Sequence, residues 1–327
     1  MSKQYGLPYM GSKSKIADKI VSYLPPAEYF VDLFAGGCAM THCAMKSGKY
    51  SKFVCNDITD APHLFLDALQ GKYNNENRWI SREDFFKLKD SDPFVRICWS
   101  FGNDQKSYLY GQDIEPIKKA LHWAVYYRDA KPLNDFGYDV SEAMVIDDIY
   151  SRWLAVKHIC TDNQSITPPT EFATLYHITI ALQHFSRQQV ISSLTQDKGL
   201  FLIGGCKKWS DAPAYDSSKS TPPHEIIVEQ LDYKQVEIPH NSVVYADPPY
   251  IGTSKYCNSF NHDVFYDWLR NCDFPVYVSE YKMPDDFIVV AEFSHRTTKS
   301  ATANNKVIER LFIHKRWENA IPKTTLF

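Results

Sequence analysis

Apolar residues recur at helical and strand spacing in the first block of the chain, up to Asp60. Ile16, Ile20 and Leu24 recur at helical spacing, and Pro25-Pro26 end that pattern. A second apolar run, over residues 28–34, ends shortly before Gly36-Gly37. This pattern predicts a helix, a strand, a second helix and a second strand, over residues 12–24, 28–34, 38–47 and 51–55. Strand, glycine loop, helix and strand in this order are typical of the βαβ unit of an open parallel sheet.

A long irregular block separates this unit from a second set of strand-like runs near the end of the chain. The block holds two amphipathic helix candidates, residues 117–127 and 150–160, joined by polar connectors that carry proline. Residues 210–223 are rich in Ser, Pro and Asp, which is typical of an exposed loop. The later apolar runs predict strands over residues 243–246, 275–278, 287–291 and 307–313.

The simplest arrangement of these elements is an α/β sheet with helices on both faces and an insertion within it. We predict that residues 1–60 and 241–327 form the sheet domain and that residues 61–240 form a mostly helical insertion. Ligands of such sheets bind outside the carboxyl ends of the strands, so candidate chemistry is expected where strands end.

Composition and charge limit the classes of protein to which this chain can belong. With 327 residues, 44% of them hydrophobic, the chain can bury a sizeable core. No apolar run approaches the roughly 20 residues that cross a bilayer, and the start of the chain is too short and polar for a secretory signal, so we expect a cytoplasmic protein. The eight cysteines include no C-x-x-C pair, which predicts neither a zinc site nor a disulfide framework. With a net charge of −3, the chain as a whole lacks the excess of basic residues that is typical of nucleic-acid binders.

The glycine loop of the first block suggests a cofactor site. Phe34-Ala35-Gly36-Gly37 follows a predicted strand and opens a helix, where glycine lets the backbone approach a ligand and the helix start offers N–H groups. Asp57 ends the next strand, where an acidic residue can accept hydrogen bonds from ribose hydroxyls. These features fit an adenosine-bearing cofactor, either a nicotinamide dinucleotide or S-adenosylmethionine. The full G-x-G-x-x-G fingerprint that admits a pyrophosphate is missing, which favours S-adenosylmethionine.

The tetrapeptide Asp247-Pro248-Pro249-Tyr250 follows the apolar run of residues 243–246 and suits chemistry on an exocyclic amine. An adenine amino group is a poor nucleophile because its lone pair is delocalised into the ring. A carboxylate and a free carbonyl can accept hydrogen bonds from both amine protons and favour a pyramidal nitrogen. Proline presents such a carbonyl on a rigid backbone, and tyrosine offers a ring on which a planar base can stack.

The order of these segments resembles the Dam-like, D12 class of DNA N6-adenine methyltransferases, which depend on S-adenosylmethionine. The resemblance rests on Pro8-Tyr9-Met10-Gly11-Ser12-Lys13, the FAGG loop, Asp57 and the DPPY segment, with further support in residues 245–253, 275–281 and 304–312. It implies a Rossmann-like methyltransferase sheet, a target-recognition region within the insertion, and double-stranded DNA as the partner. The target adenine would be flipped out of the duplex, with no metal and no covalent enzyme intermediate.

The resemblance also implies roles for individual residues. Tyr9 and Lys13 would help to hold the methionine end of the cofactor, and Ser12 replaces a glycine that is common in the family. In the catalytic segment, Asp247 would bind the N6 amine and approach the cofactor, Pro248 would offer its carbonyl, and Tyr250 would stack on the base. The complete set of implied cofactor residues is Tyr9, Gly11, Ser12, Lys13, Asp32, Phe34, Ala35, Gly36, Asp57 and Asp247, and the catalytic set is Asp247, Pro248, Pro249 and Tyr250.

DNA contacts need a local basic patch, because the middle of the chain is acidic. Residues 58–240 contain 19 Lys and Arg against 25 Asp and Glu, whereas phosphate contacts dominate nucleic-acid affinity. The best candidate is residues 96–128, where basic and aromatic residues alternate. The candidate DNA-binding residues are Asn103, Lys106, Tyr108, Lys118, Lys119 and Arg128.

Two alternatives to a DNA methyltransferase stay open at this point. The same chemistry could act on adenine in RNA, which the acidic middle block makes more credible. A non-catalytic nucleic-acid-binding module could instead keep the fold, although the intact DPPY segment argues against it. The oligomeric state, the recognition sequence, and a role in restriction-modification, genome marking or protection of a mobile element are not encoded in these motifs.

Overall fold

The computed structural model describes residues 5–73, 76–162, 202–203, 224–250, 260–296 and 306–322. These residues form two compact units. The first contains the described residues up to Lys72 and from residue 202 onwards, and the second contains those from Tyr73 to Asp162.

The first unit is organised around one sheet, which has eight strands among the described residues. They are β1 (Tyr29–Asp32), β2 (Lys52–Asn56), β3 (Leu202–Ile203), β4 (His224–Glu229), β5 (Ser242–Ala246), β6 (Val276–Glu280), β7 (Phe287–Arg296) and β8 (Lys306–His314). Their order is β3-β4-β2-β1-β5-β6-β8-β7. The strands from β3 to β6 pair in parallel, and β8 pairs antiparallel with both β6 and β7. The predicted α/β, Rossmann-like fold is confirmed.

Helices cover both faces of this sheet because successive strand residues point to opposite sides. On one face, Val31 and Val244 belong to a buried cluster with Phe265. On the other, Thr41 lies over the sheet and donates a hydrogen bond to Asp32. The helices of this unit are α1 (Ala17–Tyr23), α2 (Ala39–Ser47), α3 (Ala61–Leu69) and α9 (His262–Asn271), with Thr41 in α2 and Phe265 in α9.

Two differences from the predicted elements concern the sheet unit. The first helix was expected over residues 12–24 but begins at Ala17, because residues 9–16 form turns in which the Lys13 side chain is buried. In addition, β4 lies within the predicted insertion of residues 61–240, as β3 does, yet residues 225–229 of β4 pair in parallel with residues 52–56 of β2. The sheet therefore extends into a part of the sequence whose hydrophobic pattern is short and interrupted by charged residues.

The second unit is mostly helical in its described part. It contains α4 (Arg82–Leu88), α5 (Pro93–Cys98), α6 (Glu115–His122), α7 (Lys131–Asn134) and α8 (Ile149–Asp162). The predicted amphipathic segment 117–127 corresponds to α6 followed by a π-helical turn, and segment 150–160 corresponds to α8. Ile117, Leu121 and Val156 pack in one apolar cluster of this unit. The predicted exposed loop over residues 210–223 lies outside the described residues.

Candidate active site

Acidic residues collect at the carboxyl edge of the parallel strands. Asp32 closes β1 opposite Cys55 of β2 and Tyr245 of β5, and Ala246 lies opposite Val278 of β6. Asp57 and Asp247 directly follow β2 and β5, and Glu280 is the last residue of β6. The edge at which α/β sheets bind ligands therefore carries four carboxyl groups in neighbouring positions.

The glycine loop, Asp57 and the N-terminal segment meet at this edge, as the sequence predicted. The Gly36 N–H donates to Asp57 Oδ2 at 2.8 Å, and Gly36 has a φ of +47°, in the left-handed region that favours glycine. A Cβ atom at this position would lie 2.9 Å from Cε1 of the Tyr9 ring, so the ring packs directly on the loop. The Tyr9 hydroxyl lies 3.4 Å from Thr59 Oγ1, and the Thr59 hydroxyl in turn donates to Asp57 Oδ1 at 2.7 Å.

Two predicted cofactor residues are part of the support beneath the loop. The Ala35 N–H donates to the Asn56 carbonyl at 2.8 Å, which joins the loop to the end of β2. The Phe34 ring packs edge-on against Phe260 and Phe265, with centroid distances of 5.6 and 5.7 Å. These contacts fix the backbone of the loop.

Asp32 is the most deeply buried of the predicted acids. Its Oδ2 accepts a hydrogen bond from Thr41 Oγ1 at 2.8 Å, and its Oδ1 has no partner among the described residues. Burial raises the pKa of Asp32 to about 7, although the Thr41 hydrogen bond acts in the opposite direction. A carboxyl group with this pKa is partly protonated near neutral pH and adds little fixed negative charge to the site.

Lys13 connects the N-terminal segment to the DPPY segment. Its Nζ lies 2.6 Å from Asp247 Oδ2 and 3.5 Å from Glu309 Oε1, and it stands 4.6 Å above the Tyr250 ring centroid. Burial acts to lower the pKa of Lys13, but the two carboxylates together raise it above its ordinary value. Lys13 is therefore a buried cation that is paired twice, as a buried charge requires.

Asp247 keeps one oxygen available beside this ion pair. Its Oδ1 is buried and has no hydrogen-bond partner among the described residues, whereas Oδ2 is held by Lys13. Burial raises the pKa of Asp247 to about 6, while Lys13 opposes that rise. An ionised carboxylate with one fixed and one unpaired oxygen is a ready acceptor for an N–H donor.

The Tyr250 side chain is held at both its hydroxyl and its ring. The hydroxyl donates to Glu309 Oε1 at 2.7 Å, and the Tyr281 ring packs edge-on at a centroid distance of 4.7 Å. Burial raises the pKa of Tyr250 well above its ordinary value, so the hydroxyl stays protonated as a donor. Next to it, the Pro249 carbonyl accepts a hydrogen bond from His262 Nε2 at 2.8 Å, which requires a proton on that ring nitrogen.

Sequence reasoning missed two residues of this site, Glu280 and Glu309. Both are nearly fully buried, and burial raises the pKa of Glu280 to about 7. The available signal was a charged residue within an apolar strand run, as in Val307-Ile308-Glu309-Arg310-Leu311. An isolated acid at such a position costs free energy unless it is paired, which suggests a specific partner.

The structure also locates the remaining predicted cofactor residues. Gly11 has a φ of +75° and its carbonyl accepts from Lys13 Nζ at 3.3 Å, so it forms the turn that directs that lysine inwards. Ser12 is exposed, and its hydroxyl accepts from the Ser14 N–H at 3.3 Å.

The predicted DNA-binding residues belong to the second unit, and their exposure differs. Tyr108 and Lys118 are buried there, with the Tyr108 hydroxyl donating to the Ile80 carbonyl and Lys118 lying over the Tyr110 ring. Side chains in these positions stabilise the unit rather than present a surface, so we do not retain these two residues as DNA contacts. Arg128 is exposed and is paired with Asp147.

The fold and the motifs together define a class of protein: an α/β protein with a glycine loop next to a DPPY segment at one sheet edge. Residues 9–131 match the sequence model of the family described as D12 class N6 adenine-specific DNA methyltransferase. This match confirms the family recognised from the motifs. Enzymes of that family methylate adenine N6 in DNA, and the match covers 123 of the 327 residues of this chain.

The matched segment contains the Tyr9 to Lys13 segment, the glycine loop and Asp57, and it ends before the DPPY segment. No curated protein matches the chain. Within the described residues, no helix is long and apolar enough to span a membrane, and no group of three or more His, Cys, Asp or Glu side chains could hold a metal ion.

Proposed function

We propose that this enzyme transfers the methyl group of S-adenosylmethionine to N6 of an adenine flipped out of double-stranded DNA, with Asp247 as the residue that binds the amine. The observation that carries this assignment is the buried Oδ1 of Asp247, which lacks a partner among the described residues while Oδ2 is fixed by Lys13. The arrangement supports a hydrogen bond from the N6 amine without movement of the carboxylate. Preorganised acceptors of this kind supply much of the rate in group transfer.

The glycine-loop cradle fits the cofactor. Tyr9 lies so close to Gly36 that any side chain at position 36 would collide with its ring, so the loop holds that ring at the proposed cofactor site. Asp57 accepts hydrogen bonds from the loop and from Thr59, and we propose that its carboxylate also accepts from the ribose hydroxyls of the cofactor. When bound, S-adenosylmethionine would supply an electrophilic methyl group on a sulfonium.

The protein's own residues then have separable roles. Asp247 holds the amine, Lys13 keeps that carboxylate oriented, and Tyr250 offers a ring of fixed direction to the base. The Pro248 carbonyl is proposed as the second acceptor of the amine protons. After transfer the amine loses a proton readily, so no strong base is required of Asp247.

The direct test is incorporation of tritiated methyl from S-adenosylmethionine into DNA, RNA and protein, followed by mapping of modified adenines in DNA from cells that express the chain. We expect label in DNA as N6-methyladenine. Label confined to RNA or protein, or none at all, would contradict the proposal.

Activity should depend on pH through Asp247. Because the carboxylate is the form that accepts from the amine, and its pKa is about 6, we expect kcat/KM to fall as the pH is lowered from 7 to 5, with a midpoint near 6. Asp32 and Glu280, each with a pKa of about 7, are the other acids of this sheet edge that titrate near this range. The acid limb should persist in Asp32→Asn and in Glu280→Gln if Asp247 causes it. A limb that disappears in one of these variants would assign it to the acid replaced there.

For the DNA surface we propose the loop of residues 101–107 and the exposed side of α6. Ser100 and Tyr108 form a bridge that closes this loop, Phe101 at its start is 62% exposed, and Asn103 and Lys106 lie further along it. Lys119 is exposed on α6, with its ammonium 5.1 Å from the Trp123 ring centroid. Exposed cations near exposed or partly exposed aromatic side chains suit contacts with phosphates and bases.

Replacing Lys106 or Lys119 by alanine should weaken DNA binding to a similar extent for all sequences, because both would contact phosphate. Each change should lower the slope of log K against log salt by about 0.9. Fluorescence anisotropy over a salt series measures this. Lys87→Ala is the matched control, since Lys87 is an exposed lysine of the same unit already paired with Glu83. Equal slopes for all three variants would remove these lysines from the interface.

A further inference from the structure

We propose that Glu309 is a positioning residue for methyl transfer, which acts through Tyr250 and Lys13 and does not touch the substrate. This inference rests on the proposed function, because it assigns Glu309 a part in the site that Asp247 and Tyr250 would form.

A single carboxylate oxygen of Glu309 contacts both Tyr250 and Lys13. Glu309 Oε1 accepts from the Tyr250 hydroxyl at 2.7 Å and lies 3.5 Å from Lys13 Nζ. The hydrogen bond from the Tyr250 hydroxyl fixes the direction of the long axis of its ring. The edge-on contact with Tyr281 restricts rotation of the ring about that axis. A stacking surface that is held before the base arrives avoids the entropy cost of ordering it afterwards.

The position of Glu309 makes it a rigid anchor. It lies within β8, which is paired on both sides: Glu309 is opposite Phe293 of β7, and its neighbour Arg310 is opposite Glu280 of β6. Its side chain is only 4% exposed. Groups mounted on central strands hold their geometry more precisely than groups on loops. Glu309 thereby fixes the DPPY segment, which follows a strand, to the framework of the sheet.

The charges around Lys13 give Glu309 a second effect. When Asp247 and Glu309 are both ionised, two carboxylates share one ammonium, and the trio carries one negative charge in a buried setting. This excess negative charge favours binding of a methyl donor that carries a sulfonium cation. It does not favour binding of the thioether left after transfer, because the thioether is neutral. Glu309 therefore contributes to discrimination between the charged donor and its product, S-adenosylhomocysteine.

Three variants separate these effects. Glu309→Gln keeps a carbonyl oxygen that can accept from Tyr250 but removes the charge, Glu309→Ala removes both, and Tyr250→Phe removes only the hydroxyl. We expect kcat on DNA to fall by about tenfold in Glu309→Gln and about a hundredfold in Glu309→Ala. Because Tyr250→Phe and Glu309→Ala break the same bond, their combination should be little worse than Glu309→Ala alone. Fully multiplicative losses, or an unchanged kcat in Glu309→Ala, would overturn the positioning role.

Calorimetric binding supplies a readout without turnover. In Glu309→Gln we expect affinity for S-adenosylmethionine to fall about tenfold while affinity for S-adenosylhomocysteine stays constant, because only the former carries the sulfonium charge. Equal losses for both ligands would overturn the electrostatic part. This measurement also establishes that the variant is folded.

Glu292→Gln is the matched control for all of these measurements. Glu292 lies on the neighbouring strand β7, is 54% exposed and pairs with Arg310. We expect its substitution to leave kcat and the ratio of the two affinities unchanged. The two proposals fail differently. If the proposed function is wrong, the parent enzyme does not methylate DNA, whereas if only the role of Glu309 is wrong, the parent is active and its Glu309 variants match it.

Discussion

Replacing Asp247 by asparagine should lower kcat for DNA methylation by about a thousandfold. The substitution keeps the size of the side chain but removes the negative charge that would hold the amine, and it leaves Lys13 with Glu309 as a remaining partner. Because that partner still neutralises the buried lysine, we expect the variant to fold. The loss of one negative charge beside Lys13 should lower affinity for S-adenosylmethionine about tenfold, as in Glu309→Gln, which is far less than the loss in kcat. Tritiated methyl incorporation measures the loss, and calorimetry measures cofactor binding.

The control for this change is Asp285→Asn, at an exposed aspartate between β6 and β7 in the same unit. We expect full activity from it. An Asp247→Asn enzyme that retained activity within tenfold of the parent would exclude the role proposed for the carboxylate. Loss of cofactor binding together with activity would instead make Asp247 chiefly a cofactor residue.

The second large effect is expected from Gly36→Ala in the cofactor loop. Gly36 has a φ of +47°, and the new Cβ would lie 2.9 Å from Cε1 and 3.0 Å from Cδ1 of the Tyr9 ring. The ring is held over the loop, so the collision must be relieved by movement of Tyr9, of the loop, or of both. We expect affinity for S-adenosylmethionine to fall by more than tenfold, measured by calorimetry, because both elements belong to the proposed cofactor site.

Gly48→Ala separates this effect from backbone strain alone. Gly48 ends α2 with a φ of +70°, and no atom lies within 4 Å of the Cβ that alanine would add. Both substitutions should cost about 1 kcal/mol of stability from the left-handed backbone, but only Gly36→Ala should lose cofactor affinity. Equal cofactor binding by the two variants would contradict the placement of the loop in the site.

These expectations share one physical feature, which is that the site is built around a buried lysine. A lysine at 8% exposure is stable only with charged partners, and here the partners are the carboxylate proposed to bind the substrate amine and a carboxylate of the sheet. The N-terminal segment is thus linked to the DPPY segment by an ion pair. The sequence resemblance implied that Lys13 would contact the methionine end of the cofactor, and that contact stays a prediction.

Much of the sheet could be predicted because its strands are short apolar runs that end in turns. β1, β2, β5 and β6 all lie within or close to the predicted runs. β4 was not predicted, since His224–Glu229 holds an apolar run of only three residues between polar and charged ones, which local pattern does not distinguish from a loop. Its pairing with β2 depends on a neighbour that is distant in the chain.

The site was predictable to the extent that its residues occur in contiguous motifs. The glycine loop and the DPPY segment are visible as short runs, because turn geometry and backbone approach demand particular residues at adjacent positions. Glu309 belongs to no such run. The role proposed for it depends on a hydrogen bond from Tyr250 and an ion pair with Lys13, which lie in two other segments, and no local spacing encodes these contacts.

The α/β class, the glycine loop with Asp57 and the chemistry available to Asp247 and Tyr250 could all be inferred before any coordinates, because each follows from local pattern or from residue type. The folded chain was needed to show which oxygen of Asp247 is held by Lys13, which acid anchors Tyr250, and which basic residues of the second unit are buried. Hydrogen bonds and ion pairs act over a few ångströms, and the groups that meet at the carboxyl edge of this sheet come from segments far apart in the chain, so local pattern cannot encode these contacts.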